Sequence, residues 1–183
     1  MNDHLRNLLN QLTTDRPVFW NITAEVGEFL HELILENNYQ TVLEIGTSNG
    51  YSAIWLASAL EKTAGQLYTI ESNAKKRYPL ALENFQKSGL KNITAILGHA
   101  PEAIPAIPQS FDLAFFDATK HEHLQYFHAI GPRIKTNGII ITDNIDSHRE
   151  ELAQYLSYVK KLPDWHSQEL VLGTGLLISK RKY

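Results

Sequence analysis

Apolar residues in the first forty positions recur three or four apart, which is the spacing of one face of an α-helix. A short amphipathic lead-in helix is predicted from Leu5, Leu8, Leu9 and Leu12. The Asp15-Arg16-Pro17 segment ends it, and Thr23 is a suitable cap for a second helix that stops at Asn37-Asn38. The inward positions of this second helix are Val26, Phe29, Leu30, Leu33, Ile34 and Leu35.

From residue 41 the pattern changes to short β-rich apolar runs that alternate with helical spacing. The predicted strands are residues 41–45, 66–70, 93–97, 111–116 and 138–142. The predicted helices between them are residues 51–60, 74–87, 101–107 and 121–130. The fourth and fifth runs are almost continuously apolar, which is typical of central strands buried on both faces of a parallel sheet.

The end of the chain has a different order of elements. A helix over residues 148–161 precedes two strands, 167–171 and 175–179, which Leu172-Gly173-Thr174 joins as an antiparallel pair. The whole pattern predicts an α/β fold with a doubly wound, mostly parallel seven-stranded sheet and an antiparallel last strand. Such sheets bind ligands at the carboxyl ends of their strands, so the informative residues are those that follow strands.

Composition narrows the classes of function. A length of 183 residues suits one domain, 1–183, with residues 1–22 as a helical lead-in. The net charge of −3 and pI near 6.2 give no basic surface for nucleic acid. The chain has no cysteine, which suits the cytoplasm, and it shows neither an export signal nor an apolar run long enough for a membrane span.

The segment from Val42 to Ser52 carries the first candidate chemistry. A buried strand runs into Gly46 and Gly50 and then into a helix, so a ligand can approach the helix N-terminus closely. Ser48 occupies the position at which a dinucleotide fingerprint has its second glycine, which argues against NAD. Glu44 would repel a pyrophosphate but attract the cationic amino acid part of S-adenosylmethionine (SAM). Glu71, at the end of the second strand, is suited to accept both ribose hydroxyls of an adenosine.

Five segments together resemble the class I SAM-dependent methyltransferases, and more closely the O-methyltransferase family that includes the caffeoyl-CoA and catechol O-methyltransferases. They are residues 44–52, 70–71, 111–120, 138–144 and 175–180, within a resemblance that runs from Thr23 to Lys182. The resemblance implies a Rossmann-like fold and an enzyme that moves a methyl group from SAM to a hydroxyl of a small molecule.

The resemblance also implies which residues hold SAM. Glu44, Gly46, Thr47 and Ser52 would line its methionine end, Glu71 would hold the ribose, and Ala100 would lie beside the adenine. His99 stands where the family often has an acidic residue. The full set of implied cofactor contacts is Thr23, Glu44, Gly46, Thr47, Ser52, Glu71, Ala100 and Asp117.

A metal site is predicted from the ends of the fourth and fifth strands. Asp117 follows one strand and Asp143-Asn144 follows the next, so adjacent parallel strands would bring three oxygen ligands for a hard cation together. The resemblance implies that these residues bind Mg²⁺ or another divalent cation, which would lower the pKa of the substrate hydroxyl. It also implies that Lys120 is the general base beside Asp117. Taken singly, Asp143-Asn144 is equally typical of a turn and Lys120 of a solvated charge.

Two further features of the sequence are the remaining histidines and the segment that would cover the substrate. His121 and His123 would diverge on a helix, so with His128 they are interpreted as surface or partly buried residues, whereas His148 is placed to line the pocket. Compared with the family that it resembles, the chain is expected to have a shorter substrate lid. Either a second copy of the chain covers the pocket as a homodimer, or the acceptor is large, or the pocket is open. Such an interface would use Phe19-Trp20 and the apolar face of Leu5, Leu8, Leu9 and Leu12, although ordinary core packing explains these residues better.

Four hypotheses of function follow. The leading one is a metal-assisted SAM O-methyltransferase acting on a catechol-like small molecule. The alternatives are a metal-independent O- or N-methyltransferase of the same fold, a SAM-binding protein with little catalysis, and a nicotinamide dehydrogenase, which the missing glycine disfavours.

Overall fold

The computed structural model describes residues 1–14 and 16–183, and within them seven strands form one mixed sheet. The strands are β1 Thr41–Ile45, β2 Gln66–Glu71, β3 Ile93–Leu97, β4 Phe111–Phe116, β5 Ile134–Thr142, β6 Trp165–Leu170 and β7 Leu176–Arg181. The helices are α1 Asp3–Thr13, α2 Arg16–Phe19, α3 Ala24–Asn37, α4 Tyr51–Lys62, α5 Arg77–Ser88, α6 Ala100–Ala103, α7 His123–Ile130 and α8 Ala153–Val159. Short 3₁₀ turns lie at Ile104–Ala106, Lys120–Glu122 and Gly131–Arg133.

The sheet has the strand order β3-β2-β1-β4-β5-β7-β6, and β7 is antiparallel to both of its neighbours. The predicted α/β fold with an antiparallel last strand is therefore confirmed. The register pairs Ile45 with both Ile70 and Phe116, and Phe116 with Thr142. Residues 46, 71, 117 and 143 consequently leave the sheet side by side at its carboxyl edge.

The N-terminal helices form as the apolar spacing predicts. The four leucines of α1 are buried, and the Thr23 hydroxyl accepts a 3.3 Å hydrogen bond from the Val26 N–H at the start of α3. Asn38 ends α3 in the left-handed conformation, with φ 52°. The predicted break at Asp15 lies outside the described residues, and α2 follows it.

The core lies on both faces of the sheet because successive strand side chains point to opposite sides. Leu113 and Ile141 pack toward α1, α3 and α4, whereas Ala114 and Ile140 pack toward the layer of α6, α7 and α8. All four are buried. The prediction that β4 and β5 are covered on both faces is thus confirmed.

Several boundaries differ from the prediction. The helix predicted over 148–161 begins only at Ala153, since residues 145–152 form turns whose start is held by the β6–β7 connection. The helix predicted over 74–87 begins at Arg77, where the Asn73 side chain accepts a 2.9 Å hydrogen bond from the Lys76 N–H. β5 begins four residues early, at Ile134, and includes Asn137 at φ 64°.

None of the helices formed by residues 1–14 and 16–183 has the length and apolar character that crossing a lipid bilayer requires.

Candidate functional site

A cavity of about 910 Å³ opens at the carboxyl edge of the sheet. Its wall is built from the segments that follow β1, β2, β3, β4 and β5, together with residues 19–23 and the β6–β7 connection. The predicted site residues that line it are Thr23, Gly46, Thr47, Ser52, Glu71, Ala100, Asp117, Lys120, Asp143 and Asn144. The fold therefore brings ten of the predicted residues, from six parts of the chain, to one cavity.

The loop after β1 turns through three residues with positive φ. Gly46, Ser48 and Gly50 have φ of 105°, 51° and 88°. A Cβ on Gly46 would collide with the carbonyl oxygen of Asp117 at the end of β4. Both this close approach and the positive φ therefore require glycine at position 46. The Gly46 N–H donates a 3.0 Å hydrogen bond to the Ile70 carbonyl, which ties the loop after β1 to the end of β2.

Glu44 is the one predicted residue that does not line the cavity, and its side chain lies fully buried beneath the glycine loop. Its carboxylate accepts a 2.5 Å hydrogen bond from the Thr69 hydroxyl, which lies 2.5 Å from the Thr47 hydroxyl at the cavity wall. Burial raises the pKa of Glu44 to about 8, and hydrogen bonds from Ser52 and Thr69 oppose that rise. In the ligand-free structure the Glu44 carboxylate is thus linked to the cavity wall through the hydroxyls of Thr69 and Thr47 and through Ser52.

Glu71 ties two loops together at the cavity wall. One carboxylate oxygen accepts from the Ser48 N–H at 2.8 Å and the other from the Asn73 N–H at 2.8 Å. The side chain is buried, yet each oxygen has a second lone pair that can accept a further hydrogen bond. This geometry suits a carboxylate that receives two neighbouring hydroxyls.

Asp117, Lys120 and Asp143 lie together where β4 and β5 end. The Lys120 Nζ is 3.0 Å from the Asp117 Oδ1, and only 11% and 17% of these two side chains are exposed. Asp143 is buried, and burial together with the negative charge of Asp117 raises its pKa to about 6. The Lys120 ammonium thus pairs with Asp117, and its charge also acts on the carboxylate of Asp143.

Asn144 follows Asp143 in the left-handed conformation, with φ 65°. The hydroxyl of Thr174, on the turn between β6 and β7, accepts from the Asn144 Nδ2 at 2.8 Å and donates to the Asp143 Oδ1 at 2.9 Å. Sequence reasoning missed Thr174 because it treated residues 172–174 only as a hairpin connection. The signal that would have found it is the position of an antiparallel last strand beside β5.

Across the part of the chain that the structure describes, no three side chains drawn from His, Cys, Asp and Glu are grouped so that they could hold a metal ion. The predicted set, Asp117, Asp143 and Asn144, has two carboxylates and one amide. Its fit to a cation therefore depends on the amide oxygen as the third ligand, which is a donor set that hard cations accept.

His99 and Ala100 lie at the end of the cavity that β3 forms. The two nitrogens of His99 contact Glu102 and, at 2.9 Å, Glu122, and the hydrogen bonds to these carboxylates raise the pKa of His99. The imidazole thus joins α6 to the segment before α7. Ala100 is at the first position of α6, so its helix end faces the cavity.

The histidines after residue 120 differ in how deeply they lie. His121 is exposed, and His148 lines the cavity. His123, which we expected at the surface or partly buried, is fully buried among Phe116, Tyr126 and Tyr155. Burial lowers its pKa to about 3, so it is a neutral core residue.

Known proteins share both the motifs and the fold. Residues 43–145 match a family described as a methyltransferase domain. The chain is 32% identical over 130 residues to a catechol O-methyltransferase of Niastella koreensis, covering 68% of this chain and 58% of that protein. It is 32% identical over 147 residues to caffeoyl-CoA O-methyltransferase 1 of Eucalyptus globulus, covering 74% and 57%. The match thus spans a little over half the length of these relatives.

The architecture also recurs in a solved structure. The SAH-bound Podospora anserina methyltransferase superposes with a TM-score of 0.89 over 100% of this chain and 89% of that one, at 21% sequence identity. At that identity the likeness concerns the fold. Together these comparisons confirm the family resemblance that the motifs predict.

Proposed function

The chain belongs to the methyltransferase domain family, and from this premise we propose that it transfers the methyl group of SAM to a hydroxyl of a small molecule. The observation that carries the proposal is the buried Glu71 carboxylate at the cavity wall, which joins the glycine loop to the end of β2. The names of the relatives, catechol and caffeoyl-CoA O-methyltransferase, support oxygen as the atom that receives the methyl group.

Each part of SAM has matching residues in the cavity. We place the ribose hydroxyls on Glu71 and the adenine beside Ala100, because both line the cavity and follow neighbouring strands. The methionine end would lie along Gly46, Thr47, Ser52 and Thr23, with Asp117 at the next strand end. Glu44 would act from beneath the loop, by holding the hydroxyl of Thr69 and through it that of Thr47.

Asp117, Asp143 and Asn144 would hold a divalent cation such as Mg²⁺. The fit rests on their chemistry: burial and the negative charge of Asp117 raise the pKa of Asp143, and a bound cation would relieve that repulsion. When bound, such a cation supplies Lewis acidity toward the acceptor oxygen. This donor set supports a catechol-like acceptor with two neighbouring oxygens.

Lys120 and Asp117 are the proposed catalytic residues. The acceptor oxygen forms a bond to the methyl carbon while the carbon–sulfur bond of SAM breaks. Lys120 acts as general base in its neutral amine form, after its own proton has left, and receives the proton that the hydroxyl loses. The low exposure of both side chains supports this assignment, because a largely buried pair holds its geometry and limits the access of water.

A metal-independent methyltransferase is the second candidate. The observation that favours it is the 3.0 Å ion pair of Lys120 with Asp117, because this ammonium already supplies a positive charge beside the carboxylates. Loss of methyl transfer in EDTA, with recovery in excess Mg²⁺, would support the metal-assisted reaction. Activity that EDTA leaves unchanged would favour the second candidate.

The test of cofactor binding is calorimetric titration of the full chain with SAM. Removal of two charge-assisted hydrogen bonds at about 1.5–3 kcal/mol each predicts that Glu71→Ala weakens SAM binding by about a hundredfold or more. Glu61→Ala, an exposed glutamate at the end of α4, is the matched control and should bind as the wild type does. Wild-type protein that does not bind SAM would overturn the proposal, whereas SAM binding without product from any acceptor would favour a binding protein.

Three expectations stay predictions: that residues 1–183 act as a single domain, that a homodimer completes the cavity, and that the protein works in the cytoplasm.

A further inference from the structure

The turn between β6 and β7 is docked against the segment that carries two of the proposed cation ligands. The Ile145 N–H donates to the Gly175 carbonyl at 3.1 Å, and the Asp146 N–H donates to the Thr174 carbonyl at 3.0 Å. Gly175 has φ 84°, and a Cβ there would collide with the Asp146 carboxylate. Backbone pairing and close approach therefore fix Thr174 beside Asp143-Asn144.

The Thr174 hydroxyl serves both side chains at once. An amide nitrogen is only a donor and an ionised carboxylate only an acceptor, so the hydroxyl accepts from the Asn144 Nδ2 and donates to the Asp143 Oδ1. The direct contact between Asn144 Nδ2 and Asp143 Oδ2 is 3.4 Å, which is long for a hydrogen bond. Thr174 is thus the closer partner of the Asn144 side chain.

This arrangement decides which atom of the Asn144 amide is available to a ligand. Because Nδ2 is held by Thr174, the carbonyl oxygen Oδ1 is the atom left for the cavity that Asn144 lines. The same hydroxyl occupies one lone pair of the Asp143 Oδ1 and so restrains the carboxylate. Hydrogen bonds of this kind orient metal ligands and commonly change metal affinity by about 10–100-fold.

We propose that Thr174 is a positioning residue for the divalent cation, and that the C-terminal hairpin is part of the cation site through its hydroxyl. The inference rests on the proposed cation ligands Asp117, Asp143 and Asn144. It adds that a residue thirty positions further along the chain decides how tightly they bind.

The experiment is a calorimetric titration of the full chain with Mn²⁺ alone, so that neither SAM nor turnover contributes to the signal. Thr174→Val keeps the shape and removes the hydroxyl, and we expect its Mn²⁺ affinity to fall by about 10–100-fold. Thr174→Ser keeps the hydroxyl and should bind Mn²⁺ nearly as tightly as the wild type does.

The matched control is Thr142→Val. Thr142 immediately precedes Asp143, and its hydroxyl makes a 2.8 Å hydrogen bond to the Tyr155 hydroxyl rather than to a proposed ligand. This variant loses a hydrogen bond of the same kind, so it should lose thermal stability but keep its Mn²⁺ affinity. A SAM titration of Thr174→Val, expected to match the wild type, shows whether the cavity is intact.

Three outcomes would overturn the inference. Thr174→Val could bind Mn²⁺ as tightly as the wild type, or Thr174→Ser could bind as weakly as Thr174→Val, which would exclude the hydroxyl as the cause. Wild-type protein that binds SAM but not Mn²⁺ would overturn both this inference and the proposed cation, while leaving the cofactor assignment standing.

Discussion

The Lys120 ammonium lies 3.0 Å from the Asp117 carboxylate, one turn beyond the end of β4. The two side chains are mostly buried and both line the cavity. Their separation of three residues along the chain gives this contact, whereas the neighbouring Asp143 reaches the same place only because β5 lies beside β4. Substitution of Lys120 in this pair therefore gives a direct test of the proposed proton transfer.

Replacement of Lys120 tests its assignment as general base. Lys120→Met should lower kcat for methyl transfer by about 10²–10⁴-fold, because it removes the proton acceptor while keeping an unbranched side chain. Lys120→Arg keeps the charge and should lower kcat similarly, since a guanidinium does not deprotonate. SAM affinity, measured by calorimetry, should change little in both variants. Full activity of Lys120→Met would assign the proton to another group.

Glu44 should make the ligand-free protein less stable as the pH rises. Its pKa is about 8 when folded and 4.5 ordinarily, so between these values the unfolded chain loses the proton that the folded protein keeps. Wild-type stability should therefore fall relative to Glu44→Gln by about 1.4 kcal/mol per pH unit in this window. Urea unfolding at pH 5, 6 and 7 measures the difference. Parallel curves for the two proteins would show that Glu44 ionises normally, and the exposed Glu61→Gln should give such curves.

His123 predicts the opposite dependence on pH. The pKa of His123 is about 3 in the folded protein and 6.5 ordinarily. Below pH 6.5 the unfolded chain therefore binds a proton that the folded protein does not bind, and stability is lost on acidification. At pH 7, His123→Phe should cost about 1 kcal/mol through the lost 3.1 Å contact with the Thr119 carbonyl. By pH 5 the variant should equal or exceed the wild type. A difference in unfolding free energy between wild type and His123→Phe that stays constant from pH 7 to pH 5 would contradict a neutral, buried histidine. The exposed His121→Gln is the control and should show a constant difference.

Gly46 and Gly89 form a matched pair for the glycine loop. Both have positive φ, 105° and 74°, but a Cβ at Gly46 would meet the Asp117 carbonyl, whereas at Gly89 none of the described atoms lies within 4 Å. Gly89→Ala should cost about 1–2 kcal/mol of stability from backbone conformation alone. Gly46→Ala should cost more and abolish SAM binding, since the ends of β1 and β4 must separate. Equal losses of stability, with SAM binding intact in both, would show that the loop tolerates the side chain.

Much of the fold was predictable from the sequence because its signals are local. Short β-rich apolar runs identified all seven strands, and the alternation of β and α elements implied a parallel sheet with functional residues at its carboxyl edge. Gly46 and Glu71 were recognisable because the chemistry of a loop after a strand depends on residues adjacent in the chain. The starts of α5, α8 and β5 were not, since contacts with other segments decide where these elements begin.

The elements, their order and the residues that end each strand follow from local signals in the sequence, since backbone preference and hydrophobic period act over a few residues. The depth at which each polar group lies, and the distant group that it contacts, depend on the packing of the whole fold. Glu44 lies beneath the cavity rather than at its wall, His123 lies in the core, and Thr174 meets Asp143 across thirty-one positions. Burial and hydrogen-bond partners depend on how the strands are ordered in space, and a pattern of neighbouring residues does not reveal that order.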